Sequence, residues 1–274
     1  MKNLDLKIPE SWNALNRKQL LYLCRLYRLN LTELKFKTWV FVKFTGIKPL
    51  PKRIIADHIY YFFRKNKVRF SLTPDELHWF LHSVDYLLSE SRLTKNLIPS
   101  IRILHKRMFG PSASCYNISV HEFLFAESMI DAFHHKKDLK YLRYLCAILY
   151  RPRDKSNRPG SPGFTGDRRQ PFNDYTYQAR SRWFRLVPQN VLYAVYVFFI
   201  GCRNAIIEKH PYLFNTTTVS SEPVNHMENM KNLLASLNQG DITRNKKILQ
   251  TQVWEAFGQL NELARQAKQV KQKR

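Results

Sequence analysis

The 274-residue chain carries 45 Lys and Arg residues against 21 Asp and Glu residues, and 44% of its residues are hydrophobic. This hydrophobic fraction is sufficient for a packed core and excludes wholesale disorder, while the net charge of +24 favours an anionic partner such as nucleic acid, a phosphate-rich surface or an acidic protein. Eight glycines are few for this length, and the composition favours helices joined by short connections.

The first residues, the hydropathy and the cysteines indicate the expected compartment and whether a membrane span is expected. The first ten residues show no signal-peptide pattern, so we expect a reducing cytoplasm. The apolar run 191–202 has 12 residues, short of the roughly 20 that span a membrane, and predicts a buried helix. No disulfide framework is expected, because the four cysteines are widely separated: Cys24, Cys115, Cys146 and Cys202.

In the first 90 residues, capping residues such as Asn16 and Thr73 predict three helices. These helices are expected over about 17–29, 32–44 and 73–89. Between the second and third, the apolar runs 59–63 and 68–72 flank a polar turn and are typical of a β-hairpin. A helix over 52–65 explains the same residues equally well, because short apolar runs are ambiguous in type.

Further along the chain, apolar periodicity and caps predict five more helices, over 96–108, 119–135, 138–150, 174–186 and 188–208. Residues 151–173 collect prolines and glycines among many arginines and predict a long loop. A linker is expected at 215–223, between a main domain, 1–214, and a C-terminal helical hairpin with a basic tail, 224–274.

The expected fold is therefore all-α, or predominantly helical. It comprises a multi-helix globular domain with a basic N-terminal part, at most one small β-hairpin and the C-terminal helical hairpin.

Catalytic and metal-binding patterns are not found in the sequence. His78 and His82 have the four-residue spacing of two metal ligands, but no cysteine lies nearby to complete a site. His121 and Glu122 are not followed by the second histidine that a zinc-protease motif requires. We expect a protein that is not an enzyme and needs no metal or cofactor.

Three groups of residues are candidates for binding. In the long loop, two arginines flanked by Asp167 and Asp174 could bind phosphate or pair with these aspartates to fix the loop, and we favour the pairing. The candidate loop site comprises Asp167, Arg168, Arg169, Phe172, Asn173 and Arg203. The basic front has the composition of a nucleic-acid surface, with candidate contacts Arg53, Arg64, Lys65, Lys67 and Arg69. The last helix has an apolar face for a partner, formed by Trp254, Phe257, Leu260 and Leu263.

The order of short motifs in the middle of the chain resembles a family of poorly characterised proteins from Bacteroidetes phages and prophages, encoded among tail-morphogenesis genes. The motifs are Phe109-Gly110-Pro111, His121-Glu122-Phe123, Leu149-Tyr150-Arg151-Pro152, Asp167 to Asn173 and Gly201-Cys202-Arg203-Asn204. The C-terminal pattern, Leu233-Leu234, Gly240-Asp241 and Trp254 to Leu263, looks like the ending of tail assembly chaperone-like members.

This resemblance implies a non-enzymatic, chaperone-like factor that binds the tape-measure protein or tail-tube proteins in the cytoplasm of a bacterial host, or that stays with the virion. A helical partner of this kind can cover the apolar stripe of a long helical chain. No membrane association is expected. The alternative is a basic nucleic-acid-binding protein of a phage or mobile element, because the charge of residues 1–70 is not a feature of the family.

Overall fold

The computed structural model describes residues 6–55, 58–65, 67–157, 160, 164, 166–214 and 247–272. The chain divides into two compact units, Met1–Ser91 and Arg92–Arg274. Helices form most of the regular structure, but the described residues also form seven strands in two antiparallel sheets. The prediction of an all-α fold with at most one small hairpin is therefore wrong, and the protein is a helix-dominated mixture of helices and sheets.

The helices of the first unit begin at the predicted caps. The side chain of Asn16 accepts a hydrogen bond from the Gln19 amide at 3.0 Å, and Thr73 forms the same reciprocal box with Glu76. Gly46 ends the second helix at φ 71°, a left-handed conformation that glycine adopts without strain. The helices are α1, Arg17–Leu26, α2, Glu33–Thr45, and α3, Pro74–His82, which ends earlier than predicted.

The sheet of the first unit is centred on a hairpin. Its strands are β1, Lys48–Pro49, β2, Arg53–Ile55, β3, His58–Lys65, and β4, Val68–Leu72. β3 pairs with the other three, and the hairpin turn between Lys65 and Val68 places Lys67 at φ 68°. The hairpin interpretation is thus correct and the helix over 52–65 is wrong. Phe63 packs with Phe41 and Leu81 in the core of the unit.

In the second unit, the helices predicted over 119–135 and 138–150 are present, and the long helix after Pro188 is confirmed. The helix predicted over 174–186 is replaced by a short α-helix and a 3-10 turn, Trp183–Leu186. The helices are α4, Val120–Lys136, α5, Leu139–Leu149, α6, Tyr177–Ser181, α7, Gln189–Lys209, α8, Pro211–Phe214, and α9, Val253–Gln272.

A second hairpin occupies the place of the helix predicted over 96–108. Its strands are β5, Ser100–Ile103, and β6, Lys106–Phe109, and β6 also pairs with β7, Arg151–Pro152. Ile101 and Met108 lie opposite each other and are buried, whereas the next pair, Arg102 and Arg107, is exposed. This alternation has the period of two that strands require, and four residues per strand are too few to reveal it in the sequence.

Helix α7 is long and apolar enough to cross a membrane by length and composition, and half of its most apolar window is buried inside the protein. Val195, Phe199 and Cys202 are among the buried side chains. Gly201 allows a close approach, because a Cβ at this position would overlap the backbone of Leu93. The burial of this face is what the predicted core helix requires.

The last helix is an integral part of the second unit. On α9, Val253 and Phe257 are fully buried, and the Phe257 ring lies 5.5 Å from the ring of Phe123 on α4. The Val253 amide donates to the Ile118 carbonyl at 2.9 Å. The linker predicted at 215–223 and the first helix of the predicted C-terminal hairpin lie outside the described residues.

Candidate functional site: a buried arginine network and an open apolar groove

The long loop is fixed to the second unit by a buried charge network. Arg169 and Arg151 both contact the same oxygen of Glu122 on α4, at 2.7 and 2.8 Å, and all three side chains are almost completely buried. Arg169 also pairs with Asp167 at 2.8 Å. Two cations and two carboxylates balance in charge, which is the condition under which buried ions are tolerated.

The hydrogen-bonding capacity of Arg169 is fully used inside the protein. Its Nε donates to the Asp167 carboxylate at 3.0 Å, and its terminal nitrogens donate to Glu122 and Asp167 and to the carbonyls of Leu149 and Asn117, at 2.9 and 2.8 Å. A guanidinium has five N–H donors, so none is left for a phosphate. Arg169 therefore fixes the loop and does not present it to a ligand.

Arg151 performs the corresponding role from β7. Its Nε donates to the Gln170 carbonyl at 2.6 Å, and Nη1 donates to the Ile148 carbonyl at 2.8 Å. Burial lowers the pKa of Arg151. Burial also opposes the charged form of Arg169, but Glu122 and Asp167 together raise the pKa of this group. Arg151 and Glu122 were not among the predicted site residues, because their contact joins segments far apart in the chain.

The other residues of the predicted loop site have different surroundings in the structure. Phe172 packs at 5.2 Å against the ring of His121, and Asn173 is exposed and caps the Tyr175 amide at 2.8 Å. Arg168 is exposed, while Asp174 lies 3.8 Å from His121 and pairs with neither arginine. The loop site thus contains Asp167, Arg169 and Phe172 around Arg151 and Glu122, without Arg168.

Arg203 is partly exposed and forms a separate ion pair with the buried Glu127. Its Nε lies 3.0 Å from Glu127 on α4, whose other carboxylate oxygen has no hydrogen-bond partner. Burial raises the pKa of Glu127 to about 7, against the opposing effect of the Arg203 charge, and the nearby Asp131 adds to the rise.

The apolar face predicted for a partner is largely occupied by the protein itself. Phe257 and Leu260 are buried, and the Trp254 indole donates to the Ser114 carbonyl at 2.8 Å. Leu263 is 52% exposed. The candidate residues of the last helix are therefore mainly core residues of the second unit in this structure.

An open apolar groove lies in the first unit, between α2, α3 and the sheet. Its volume is about 890 Å³. Leu34 and Trp39 of α2 line it and remain 61% and 45% exposed. The other lining side chains are mostly aliphatic or aromatic and include Val42, Ile47, Leu50, Tyr61, Phe62 and Leu77. Lys43 and Lys48 contribute positive charge, and Asp75 contributes one carboxylate. The sequence signal for this groove was weak, because Trp39 and its neighbours fit a core helix equally well.

The candidate nucleic-acid contacts lie on and beside the hairpin of the first unit. Arg64 and Arg69 are exposed and directly opposite each other on β3 and β4. Arg53 and Lys67 are also exposed, and Lys65 is partly buried. Like charges at opposite strand positions destabilise a hairpin, so this arrangement favours an anionic ligand.

The histidine pair on α3 is engaged in contacts with its neighbours. The rings of His78 and His82 lie 4.7 Å apart, edge to face, and His82 also contacts Asp85 at 2.8 Å. Across the described residues, no group of three or more His, Cys, Asp and Glu side chains could hold a metal ion.

Comparisons with protein families, with curated proteins and with solved structures gave no match for this chain. The geometry of the two units and the resemblance noted in the sequence are therefore the basis for a functional proposal.

Replacing Arg169 by Met should reduce the free energy of unfolding by about 3 kcal/mol or more, because Glu122 and Asp167 lose a buried partner. Chemical denaturation measures the loss. Arg168→Ala, at the adjacent exposed position, is the matched control and should change stability by less than about 0.5 kcal/mol. Equal losses in the two variants would contradict the structural role of Arg169.

The contribution of Glu127 to the free energy of unfolding should fall as the pH rises from about 4.5 through about 7, because native Glu127 retains its proton over this range while the unfolded chain has released it. Glu127→Gln cannot titrate and should flatten this part of the pH profile. Denaturation at several pH values measures it, with the exposed Glu255→Gln as the control that keeps the wild-type profile. A wild-type slope in Glu127→Gln would disprove the assignment.

Proposed function

We propose that the protein is a non-catalytic binding protein whose first unit holds an apolar stretch of a protein partner in the groove between α2, α3 and the sheet. We further propose that it is a chaperone-like factor of phage tail assembly that acts on a tape-measure or tail-tube protein.

The exposure of the groove residues is the observation that carries the proposal. Leu34 and Trp39 remain substantially exposed beside an apolar cavity of about 890 Å³. Contiguous apolar surface of this kind marks binding sites in soluble proteins, and covering it removes apolar area from water. A groove walled by two helices and a sheet suits an amphipathic helix that inserts one apolar stripe.

The charged residues beside the groove indicate which partner segments it can bind. Lys43 and Lys48 lie among the lining residues against the single carboxylate of Asp75. An apolar segment flanked by acidic residues would pair with these lysines and bind faster than a neutral one. A basic apolar segment would be repelled, so the groove selects by charge as well as by hydrophobicity.

Two further observations support a non-catalytic role and this location of the partner site. All five N–H donors of Arg169 in the long loop are used by internal hydrogen bonds. The apolar face of the last helix is committed to the core, with Phe257 fully buried. The groove is thus better placed than the last helix to accept a partner. The connection to tail assembly rests on the sequence resemblance.

Trp39→Asp should abolish or strongly weaken retention of the partner, because it removes the apolar surface of the indole and places a charge where the apolar face of the partner would pack. The measurement is a pull-down after co-expression with the tape-measure protein. Trp79→Asp is the matched control, since Trp79 is 71% exposed in the same unit and does not line the groove. Circular dichroism should show that both variants are folded.

Retention that is unchanged in Trp39→Asp, or lost equally in both variants, would contradict the groove as the partner site. A wild-type protein that retains neither the tape-measure nor tail-tube proteins would contradict the assembly role itself.

A second candidate function, nucleic-acid binding by the first unit, is favoured by the exposed cross-strand pair of Arg64 and Arg69. Exchanging both for Glu should then weaken binding to DNA or RNA about tenfold or more at low salt and reduce its salt dependence. Binding isotherms at several salt concentrations measure this. Unchanged affinity would remove this candidate.

A further inference from the structure

The second unit contains two segments in which positive charge is not accompanied by negative charge. Residues 92–119 contain five Lys and Arg residues and no Asp or Glu, and residues 175–207 contain four arginines and no Asp or Glu. If the fold kept these two segments apart, their positive side chains would simply be solvated at the surface. The structure brings parts of them together.

The β5–β6 hairpin and the 3-10 turn Trp183–Leu186 meet at a cation–aromatic contact. The Lys106 Nζ lies 3.8 Å from the centroid of the Trp183 ring. Arg182 and Arg185 flank Trp183 in the chain, and both are exposed. On the outer face of the hairpin, Arg102 and Arg107 lie directly opposite each other and are exposed. The group of cations, named here the hairpin patch, comprises Arg102, Lys106, Arg107, Arg182 and Arg185.

Within the described parts of the chain, none of the five cations of the hairpin patch forms an ion pair with a carboxylate. The Arg107 Nε donates to the Ser100 hydroxyl at 3.0 Å, which orients the guanidinium without balancing its charge. Two arginines facing each other across a strand pair repel, so the hairpin keeps an unfavourable arrangement that an anionic ligand would relieve.

The cations of the patch lie against its aromatic rings. Lys106 lies over Trp183, and the Arg107 guanidinium lies 5.4 Å from the centroid of the Phe109 ring. Single-stranded nucleic acid is held mainly by bases stacked on open rings, and here the cations compete with bases for these two rings. Cations aligned along a hairpin instead match the phosphates of a duplex backbone.

The tip of the hairpin adds a second unusual feature. Leu104 is 73% exposed and has φ 53°, a left-handed conformation that the two-residue turn between Ile103 and Lys106 requires. The turn therefore presents an exposed leucine, which is one of the side chains that proteins insert between base steps of a duplex. Leu104 lies next to Ile103 and His105, between the two strands that carry the arginines.

We infer that the hairpin patch of the second unit binds the phosphate backbone of duplex nucleic acid, with Leu104 placed to contact the groove. This site is separate from the groove of the first unit and does not depend on the proposed protein partner. It also differs from the residues Arg53, Arg64, Lys65, Lys67 and Arg69 that the sequence suggested for such contacts.

The test is a binding titration of the full-length protein with a 20-base-pair DNA duplex and with a single strand of the same length, at several salt concentrations. Arg102→Glu/Arg107→Glu should weaken duplex binding about tenfold or more and reduce the slope of affinity against salt by about two phosphate contacts. Arg17→Glu/Lys18→Glu is the matched control, because it makes the same charge change at two exposed residues of α1 that belong to neither candidate nucleic-acid site.

A larger loss in the Arg102/Arg107 variant than in the control supports the inference. Equal losses would show that only net charge matters and would overturn the site. Wild-type affinity in the Arg102/Arg107 variant would also overturn it. Single-strand binding as tight as duplex binding would overturn the duplex assignment. A second variant, Arg182→Ala/Arg185→Ala, tests the same patch without altering the hairpin and should weaken duplex binding, and a thermal melt of each variant checks folding.

Discussion

The ion network of Arg169, Arg151, Glu122 and Asp167 is the interaction on which the second unit most depends. Burying a charge without a partner is costly, whereas here each charge has an opposite charge and each donor of Arg169 has an acceptor. The network joins the long loop, the strand β7 and helix α4 at one point. In the described segment 166–173 of the loop, only Arg169 is buried, so the ion network and not apolar packing fixes this segment against α4.

The same network limits what the second unit can do chemically. Glu122 is buried against two guanidinium groups, which stabilise its charged form and disfavour proton uptake, and a guanidinium without free donors cannot clamp a phosphate. Of the loop residues proposed from the sequence, Asp167 and Arg169 are therefore structural. Anion binding by arginines must use those that the fold leaves outside this network, and these include the exposed cross-strand pairs of the two hairpins.

Local signals allowed part of this fold to be predicted from the sequence. The capping boxes of Asn16 and Thr73 and the left-handed Gly46 set helix ends by hydrogen bonds within a few residues, so their prediction needs no tertiary information. The pairing of Asp167 with Arg169 is local for the same reason.

The β5–β6 hairpin was missed, because alternation over four residues per strand does not distinguish it from one face of a helix. The contact between Arg151 and Glu122 and the groove around Trp39 join distant segments, and no short pattern encodes them.

The two hairpins place positive charge at defined positions, which the amino-acid composition alone does not specify. A net charge of +24 spread evenly over the surface would attract any polyanion weakly and without preference. Pairing Arg64 with Arg69 and Arg102 with Arg107 instead places charge at fixed spacing on rigid strands, at a cost in hairpin stability. In the second unit, Lys106 and Arg107 also lie against the neighbouring rings of Trp183 and Phe109, where they compete with bases for stacking while their charge remains available to phosphates. The apolar groove of the first unit has the opposite balance, with exposed Leu34 and Trp39 beside only a few charges. Chemically different surfaces on the two units are best explained by different partners, which is why a protein-binding role and a nucleic-acid contact are compatible within one chain.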